Sequence, residues 1–536
     1  MITYRNPSIE SPERVWRGPA DRLVFEPEAV LGLLQNLDQD FYLVRDNGRT
    51  AAAQAGAVFP GSADGGGLPL LARVRPIAPE HFGNPGFLET YGVRRAYMAG
   101  SMANAISNEE LVIAMGKARY LASFGSGGVS PDRLEAAIHT IQSALPDGPY
   151  AFNLIHSPQE PAMEQKAVDL FRRYRVGVIE ASAFLRLTPP LVEYRAAGLE
   201  PAPGGKVKIN QRVIGKLSRG EVAQQFLQPA PEKILRTLVN KGKITARQAE
   251  LASRVPVADD ITVEADSGGH TDNRPLTSVL PSLIALRDQI QAEHGFEEPT
   301  RVGAAGGIGT PTSVLGAFTM GADYVVTGSI NQACLEAGTS DRVKALLAEA
   351  GSADVIMAPA ADMFEMGVKV QVLKRGTMFP MRAQKLYDIY QEHDSLAALD
   401  PATRTDLEEK IFQRNLDQVW EDCVAFFEAR DPDQLEKARR SPRKKMALIF
   451  RWYLGLATHW GIRGEPERAF DYQIWCGPAM GAFNDWTAGT RLADPDSREI
   501  VEVAQALMEG AAYLARLFDL KLQGVGLPPA WGRLLE

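Results

Sequence analysis

The chain has 536 residues, of which 45% are hydrophobic and 23% are charged, and its formal net charge is −8. This composition is typical of a folded globular protein and excludes a collagen-like or disordered chain. The acidic balance offers no basic field that could hold a nucleic-acid backbone. At about 150 residues per domain, the length predicts three or four domains, or one large barrel with additions.

Cysteine usage and the N-terminal sequence bear on location. The three cysteines, at positions 334, 423 and 476, are too widely spaced for a C-x-x-C site. The N-terminus lacks the apolar run of a signal peptide, and no stretch reaches the roughly 18 apolar residues of a membrane span. We therefore expect a protein of the reducing cytoplasm with no membrane role and no metal site.

Local patterns divide the chain into three parts. Residues 1–88 combine Gly- and Pro-rich stretches with short apolar runs, which predicts a small N-terminal α+β domain. Residues 89–375 alternate apolar runs, Gly-rich or polar turns and helical segments, the signature of β/α units. Residues 376–536 have helical periodicity and predict a helical C-terminal region.

The middle part contains eight candidate strands. They are 96–102, 120–125, 150–155, 176–182, 206–211, 261–267, 301–307 and 323–329. Helical segments such as 107–120 and 130–145 lie between them, each opened by a serine that can cap a helix. Residues 217–258 predict two or three further helices, as an insertion or an elaborated crossover. Eight such units favour an α/β fold of the (β/α)8 TIM barrel class, with an open doubly wound sheet as the alternative.

The seventh and eighth predicted strands both end in Gly-rich turns. Gly306 and Gly307 follow the seventh strand, and Gly328 and Ser329 follow the eighth. Active sites of such barrels form at the carboxyl ends of the strands, and backbone N–H groups at glycine turns bind anions. The two adjacent turns therefore predict a phosphate site.

The sixth predicted strand leads into the unusual segment EADSGGHTDNRP, residues 264–275. Gly268 and Gly269 would let the backbone approach a ligand closely. His270 follows them, and Asp266 and Asp272 lie nearby to orient it or set its charge. A histidine in this place is a candidate catalytic acid or base.

The remaining strand ends carry groups suited to a flat heterocycle. Asn153 could pair with a pyrimidine edge. Lys208, on the predicted fifth strand, could stabilise an anionic reduced isoalloxazine, although a lysine that extends to solvent is the alternative. The small-residue wall beside the ring would come from Met98, Ala99 and Gly100, with open space left at Gly125.

Along the chain, the strand ends and the C-terminal region contain, in this order, the segments MAGSMANAIS, FNLIHSP, VIEASAFL, KINQRVIGKLSR, DDITVEADSGGHTDNRP, GAAGGIGTP, GADYVVTGSINQAC and DYQIWCGPAMGAFNDW. In these segments and their order, the chain resembles the trans-acting, FMN-dependent enoyl reductases of polyunsaturated fatty acid and trans-acyltransferase polyketide synthases, the PfaD type. The resemblance covers nearly the whole chain. Over about residues 94–335 the barrel is also similar to nitronate monooxygenases and to the flavin-dependent bacterial enoyl-acyl-carrier-protein reductase.

The resemblance implies a cofactor, a hydride donor and a substrate class. NADPH would reduce bound FMN, which would then reduce the 2,3 double bond of an enoyl thioester on an acyl carrier protein. His270 would donate a proton or contact the thioester oxygen, and the two Gly-rich turns would hold the FMN phosphate. Asn153, Lys208 and Ala265 would contact the ring or the ribityl chain.

The resemblance also implies that the C-terminal region, with residues 362–387, shapes an acyl tunnel and a carrier-protein dock. The basic run 439–445 is a candidate contact for an acidic carrier protein, and a solvated charge run is the alternative. Cys476 is expected to be a small buried residue rather than a nucleophile. The apolar helical C-terminus makes a homodimer our expectation.

Two other functions stay open at this point. One is an FMN-dependent nitronate monooxygenase, which shares the barrel and the histidine but needs no carrier protein. The other is a flavin-binding assembly subunit without catalytic activity. The preference for NADPH over NADH rests on the family alone, because the sequence contains no Rossmann fingerprint.

Overall fold

The centre of the fold is a closed barrel of eight parallel strands, seen in a computed structural model that describes residues 3–4, 14–61, 66–158 and 160–532. In chain order the strands are Tyr97–Ala99, Leu121–Phe124, Ala151–Ile155, Val178–Ser182, Arg212–Leu217, Asp260–Glu264, Arg301–Ala305 and Val325–Thr327. The predicted α/β fold of the TIM barrel class is therefore confirmed.

Helices follow the strands and pack around the barrel. They are Glu109–Lys117, Pro131–Ala144, Pro161–Arg173, Pro189–Ala197, Leu276–His294, Pro311–Thr319 and Asp341–Ala348. Ser130 caps its helix as predicted, since its side chain accepts the N–H of Arg133. The first helix is capped by Asn108 instead of the predicted serine, because Ser107 accepts the N–H of Met102.

The fifth barrel strand is Arg212–Leu217, so the prediction of a barrel strand at 206–211 is wrong. Residues Val207–Ile209 pair with a short antiparallel strand outside the barrel. The true strand contains Gly215, which weakens its strand pattern. A Cβ at Gly215 would lie 2.9 Å from the ring of Phe226, so the packing of the next helix requires glycine there.

The predicted helices of residues 217–258 form the crossover from the fifth strand to the sixth. They are Gly220–Leu227, Glu232–Asn240 and Ala246–Ala252. Because they directly connect neighbouring strands, they extend a β/α unit and leave the barrel closed.

In the described residues, the N-terminal region contains a six-stranded antiparallel sheet and the α-helix Pro27–Gln35. The strand order across the sheet is Leu23–Val24, Arg49–Ala53, Phe41–Asp46, Leu68–Val74, Arg14–Arg17 and Ala57–Pro60. Its core includes Val30 and Leu34 together with Tyr513 and Leu517 from the C-terminal helix Ile500–Leu522. The predicted boundary at residue 88 falls inside helix Pro85–Tyr91, and the exact division into domains stays a prediction.

The C-terminal region is helical, as predicted, from residue 379 onwards. Its α-helices are Phe379–Glu392, Pro401–Asp406, Leu416–Arg430, Pro432–Arg440, Pro442–Arg463, Ala479–Thr487 and Ile500–Leu522. We call Leu416–Arg430 and Pro442–Arg463 the lid helices, because both contribute side chains to a cavity over the barrel. None of the helices in the described ranges combines the length and apolar character needed to cross a bilayer.

A small antiparallel sheet, which the sequence did not predict, lies between the barrel and the lid helices. Its strands are Gly269–His270, Lys369–Leu373 and Val355–Pro359, in that order. His270 is in register with Val370. The pairing brings the loop that connects the two longer strands close to the end of the sixth barrel strand.

Candidate active site

A cavity of about 710 Å³ lies at the carboxyl ends of the barrel strands. All eight strands contribute lining residues, either from their last positions or from the loops that follow them. The lid helices and the segment around Trp475 close the cavity on the other side. The cavity therefore has a polar barrel floor and a helical roof.

His270 lies in this cavity, and its position is fixed by the two glycines before it. A Cβ at Gly268 would approach the backbone of Cys476 to 2.9 Å, so only glycine permits that contact. Gly269 has a φ of +79°, which also favours glycine. These contacts place the SGGH turn directly against the C-terminal segment that contains Trp475 and Cys476.

The imidazole of His270 contacts Asp362, with Nε2 3.2 Å from Oδ1. Burial disfavours the charged imidazolium, but the hydrogen bond to Asp362 and its negative charge outweigh it, so the pKa of His270 is raised. Glu264 acts in the same direction and Lys216 in the opposite one. About a third of the His270 side chain, 32%, stays exposed, which leaves the ring accessible to a substrate.

The loop that carries Asp362 is held by a lid helix. Arg451 Nε donates to the carbonyl of Ala361 at 2.8 Å, and Lys444 Nζ lies 2.7 Å from Glu365. Burial opposes the ionisation of Asp362, yet the contact with His270 lowers the pKa of this carboxyl group overall. Asp362 therefore carries a negative charge beside His270.

A second charged cluster lies on the floor of the barrel. Lys216, on the true fifth strand, has its Nζ 3.2 Å from Glu264 Oε1. Glu180, on the fourth strand, is fully buried and accepts the N–H of Ser101 through Oε2. Burial lowers the pKa of Lys216, but the charges of Glu264 and Glu180 outweigh it and raise that pKa. Lys216 is thus held as a partly buried cation facing the cavity.

Lys208 lies outside this site, so its predicted place on the barrel strand is wrong. Its side chain is exposed, and its Nζ lies 3.3 Å from Glu200 on the neighbouring short strand. The lysine that faces the cavity from the fifth strand is Lys216, eight residues later.

The two Gly-rich turns lie together at the cavity wall, as expected of neighbouring strand ends. The backbone N–H groups of Gly307, Gly328 and Ser329 donate to no acceptor among the described residues. A Cβ at Gly307 or Gly328 would meet nothing within 4 Å, so both turns border open space. Unused N–H groups around open space fit an anionic group such as a phosphate.

The cavity contains most of the predicted site residues. They are Gly100, Asn153, Gly268, Gly269, His270, Gly306, Gly307, Gly328 and Ser329. The amide nitrogen of Asn153 is already used, since it donates to the Glu180 carbonyl at 2.9 Å and to Ser182 Oγ at 2.7 Å. Only its side-chain oxygen is left for a ligand.

Four other predicted contact residues lie behind the cavity wall. Met98 and Ala99 are buried in the core, and Ala265 is hydrogen-bonded to Ala305 and to Thr271. Gly125 serves packing, because a Cβ there would lie 1.7 Å from the carbonyl of Met102. These residues support the loops around the cavity, and neighbouring residues form the cavity surface itself.

The sequence did not single out Lys216, Asp362 or the cavity-lining residues of the lid helices, although the resemblance implied that the C-terminal region with residues 362–387 shapes a tunnel. If a glycine inside a strand is accepted, the segment RVIGKL predicts the fifth strand and places Lys216 near its carboxyl end. The stripe Leu448, Trp452, Gly455 and His459 follows helical spacing and was visible, but the sequence did not indicate what it faces. Asp362 carries no local signal at all.

Three of the five cations in the basic run 439–445 lie close to neighbouring acidic side chains. Arg439 pairs with Glu436, Arg443 Nη1 lies 2.8 Å from Asp394, and Lys444 pairs with Glu365. Its role as a carrier-protein dock stays a prediction. Cys476 is buried as predicted, and burial raises the pKa of its thiol to about 12, which suits a packing role.

Two family models match parts of the chain. Residues 16–76 match the N-terminal domain of the fatty acid synthase subunit PfaD. Residues 393–472, which include both lid helices completely, match the inserted helical domain of acyl-carrier-protein S-malonyltransferase.

Similar proteins cover nearly the whole chain. One component of the polyunsaturated fatty acid synthase of Thraustochytrium sp. is 46% identical over 527 residues, which are 97% of this chain and 34% of that protein. The polyketide biosynthesis protein PksE of Bacillus subtilis is 45% identical over 82% of this chain and 57% of that protein. The chain therefore spans about a third to a half of the length of these curated relatives.

One solved structure agrees with this chain in both sequence and shape. It is the enoyl reductase domain of MlnA, from the macrolactin biosynthesis cluster of Bacillus amyloliquefaciens. It is 39% identical, with a TM-score of 0.79, over 83% of this chain and 99% of that domain. The match thus spans that whole domain.

Proposed function

Because this chain belongs to the PfaD-type enoyl reductase family, we propose that it reduces the 2,3 double bond of enoyl thioesters carried by an acyl carrier protein. FMN would be its cofactor and NADPH its hydride source. The observation that carries the proposal is the placement of the His270–Asp362 pair in the same cavity as the anion-binding turns.

The residues of the cavity fit a flavin mononucleotide. The turns at Gly307 and Gly328 offer free N–H groups and open space to a phosphate, and Ser329 adds a hydroxyl group. Lys216 offers a partly buried positive charge on the barrel floor, which suits the electron-rich end of a reduced isoalloxazine. When bound there, the flavin supplies a hydride acceptor for NADPH and a hydride donor for the β-carbon of the substrate.

His270 supplies the proton that completes the reduction. Hydride addition at the β-carbon moves the double-bond electrons onto the thioester as an enolate, whose α-carbon must then gain a proton. Asp362 engages Nε2 and favours the imidazolium, so Nδ1–H is the group left to donate. The balance is one hydride and one proton gained by the substrate, with NADPH oxidised to NADP⁺.

The lid helices would exclude water and receive the acyl chain. Arg430 Nη2 on one lid helix lies 2.7 Å from Glu160, in the loop after the third barrel strand. The lid is thereby tied to the barrel on one side, while Arg451 ties it to the Asp362 loop on another. A roof that excludes water would strengthen the electrostatic interactions beneath it.

Partners and location follow from this proposal. The client would be an acyl carrier protein of a fatty acid or polyketide synthase in the cytoplasm, and a homodimer stays a prediction. Membership of the enoyl reductase family argues against the nitronate monooxygenase alternative. The other alternative is a flavin-binding assembly subunit without catalytic activity. In such a protein the flavin would not pass a hydride to a thioester.

The direct test is a product analysis with crotonyl-pantetheine, FMN and NADPH. We expect the purified protein to convert it to butyryl-pantetheine, seen by mass spectrometry as a gain of two hydrogen atoms. The His270→Ala variant should bind FMN but form little product under the same conditions. If the wild-type protein oxidises NADPH and consumes oxygen with an alkyl nitronate but leaves the thioester unchanged, the proposal is wrong.

A further inference from the structure

Glu180 carries a carboxyl group inside the barrel, directly beneath the cavity. Its side chain is fully buried. Ser182, two residues later on the same strand, lines the cavity. Because side chains two residues apart on a strand point to the same side, the Glu180 side chain points into the barrel interior, one layer below the cavity surface.

One of the two Glu180 carboxyl oxygens has no hydrogen-bond partner among the described residues. Oε2 accepts the backbone N–H of Ser101 at 2.9 Å, but the buried Oε1 accepts no hydrogen bond. Oε1 lies 3.7 Å from where a Cβ at Gly100 would be, and Gly100 and Ser101 both line the cavity. A buried acceptor without a donor is unfavourable, and such exceptions in native proteins are expected at functional sites.

Glu180 also belongs to the charged cluster of the barrel floor. Ser182 is in register with Lys216 on the neighbouring strand, so the side chains of Glu180 and Lys216 face the same interior. The charges of Glu264 and Glu180 both raise the pKa of Lys216. One ammonium group therefore balances two carboxylates, and the cluster carries one negative charge in excess.

A purely structural role at position 180 does not require a carboxylate. A glutamine of nearly the same shape could accept the Ser101 N–H through its amide oxygen. Lys216 already has Glu264 as a partner, with Nζ 3.2 Å from Oε1. What a carboxylate adds at this position is negative charge, which acts through the low-dielectric barrel interior on any group that lies on the floor.

We propose that Glu180 lowers the reduction potential of the flavin that binds on this floor. The inference rests on the proposed function for the presence of FMN. Uptake of a hydride, which is two electrons and one proton, leaves the isoalloxazine with one more negative charge. Excess negative charge beneath the ring opposes that gain, so the reduced flavin passes its hydride more readily to a weak acceptor such as an enoyl thioester.

The test is the reduction potential of FMN bound to the full-length protein. It is measured anaerobically against a reference dye, with protein in excess over FMN. Glu180→Gln removes the charge and keeps an oxygen for the Ser101 N–H, so at a fixed potential the ratio of reduced to oxidised FMN should rise about tenfold or more. For a two-electron couple this is a shift of about +30 mV or more. Lys216→Met removes the opposing charge and should lower the ratio.

Glu193→Gln is the matched control for loss of a buried carboxylate. Glu193 is also fully buried, but it lies on the outer helix Pro189–Ala197, away from the cavity lining, with Arg172 as its partner. Its variant should change the ratio by less than about twofold. Glu180→Asp keeps the charge and should also stay within about twofold of the wild type. Glu180→Met is a second neutral variant and should shift the ratio in the same direction as Glu180→Gln.

An unchanged or lower ratio in the neutral variants at position 180 would overturn the inference. An equal rise in Glu180→Asp or in Glu193→Gln would overturn it as well, because the effect would then not depend on charge at this place. Failure of the wild-type protein to bind FMN would overturn it together with the proposed cofactor.

The titrations contain no thioester, so their outcome is separable from the fate of the proposed function. If the potential shifts as expected but enoyl thioesters are never reduced, the proposed reaction is wrong and the role of Glu180 stands. If thioesters are reduced and the potential does not shift, only the role of Glu180 is wrong.

Discussion

His270 and Asp362 are 92 residues apart in the chain, yet His270 Nε2 lies 3.2 Å from Asp362 Oδ1. The contact exists because His270 pairs with Val370 in a small antiparallel sheet, which brings the preceding loop to the barrel mouth. The lid helix then holds that loop through Arg451 and Ala361. The loop after the sixth barrel strand supplies the candidate acid, and the loop between Val355–Pro359 and Lys369–Leu373 supplies the negative charge that raises its pKa.

Replacing Asp362 with asparagine should change the pH dependence of the reaction. The pKa of His270 is raised by Asp362, so the proton donor is present at low pH and is lost as pH rises through that pKa. Without the negative charge the pKa falls, and the decline of kcat/KM should begin at lower pH. The measurement is kcat/KM for crotonyl-pantetheine across the pH range of protein stability.

Asp362→Glu is the control, since it keeps the charge and should restore most of the wild-type profile. The charges of Glu264 and Lys216 also influence the pKa of His270, and both residues are unchanged in these variants. A uniform drop in rate with the same midpoint would mean that Asp362 acts only on the fold.

Removal of His270 should separate the two halves of the reaction. His270→Gln deletes the acid but leaves the anion-binding turns untouched, so flavin binding and flavin reduction by NADPH should be retained. Thioester reduction should fall by about 10²- to 10⁴-fold, the usual contribution of general acid catalysis. Rapid-mixing absorbance of each half-reaction measures this, and equal slowing of both halves would contradict the assigned role.

Lys216 and Lys208 form a natural pair of test substitutions. Lys216→Met removes the partly buried cation that pairs with Glu264 and is influenced by the charge of Glu180, so FMN affinity should fall about tenfold or more and the protein should be less stable. Lys208→Met alters only an exposed pair with Glu200 and should change neither property measurably. Fluorescence titration with FMN compares the FMN affinities of the two variants. A larger loss of affinity in Lys208→Met than in Lys216→Met would contradict the placement of Lys216 at the flavin site.

The base of the barrel depends on a buried ion pair. Arg301 binds Asp260 with two hydrogen bonds of 2.6 and 2.8 Å, and the Asp260 side chain is fully buried. Arg301→Met leaves that carboxylate unpaired and should cost about 3–5 kcal/mol of unfolding free energy. Arg375→Met removes an exposed arginine and should cost less than about 1 kcal/mol. Urea unfolding of the two variants tests the difference.

Local signals predicted most of the barrel from sequence. Seven of the eight strands were placed at the right positions, because each is an apolar run followed by a turn. The fifth strand was misplaced because Gly215 interrupts its pattern and the neighbouring 206–211 alternates more clearly. Because the fifth strand was predicted a few residues too early, the predicted site contained Lys208 in the place that Lys216 occupies in the structure.

The residues of the candidate site also fall into a part that local sequence predicts and a part that it does not. The turns at Gly306 and Gly328 and the SGGH segment were predictable, since each is defined by residues adjacent in sequence. Asp362 was not, because its position depends on strand pairing between distant segments. The helical stripe with Gly455 was visible in sequence, but only packing of the lid helices over the barrel gives it a cavity to face.

The central claim is that hydride passes through a flavin in this cavity to an enoyl thioester. The measurement that tests it most directly is anaerobic double-mixing absorbance of the FMN-loaded protein at the flavin band. We predict that NADPH bleaches the band and that crotonyl-pantetheine, mixed in afterwards, restores it within the turnover time. If the band is bleached by NADPH but restored only by oxygen and never by the thioester, the account is contradicted.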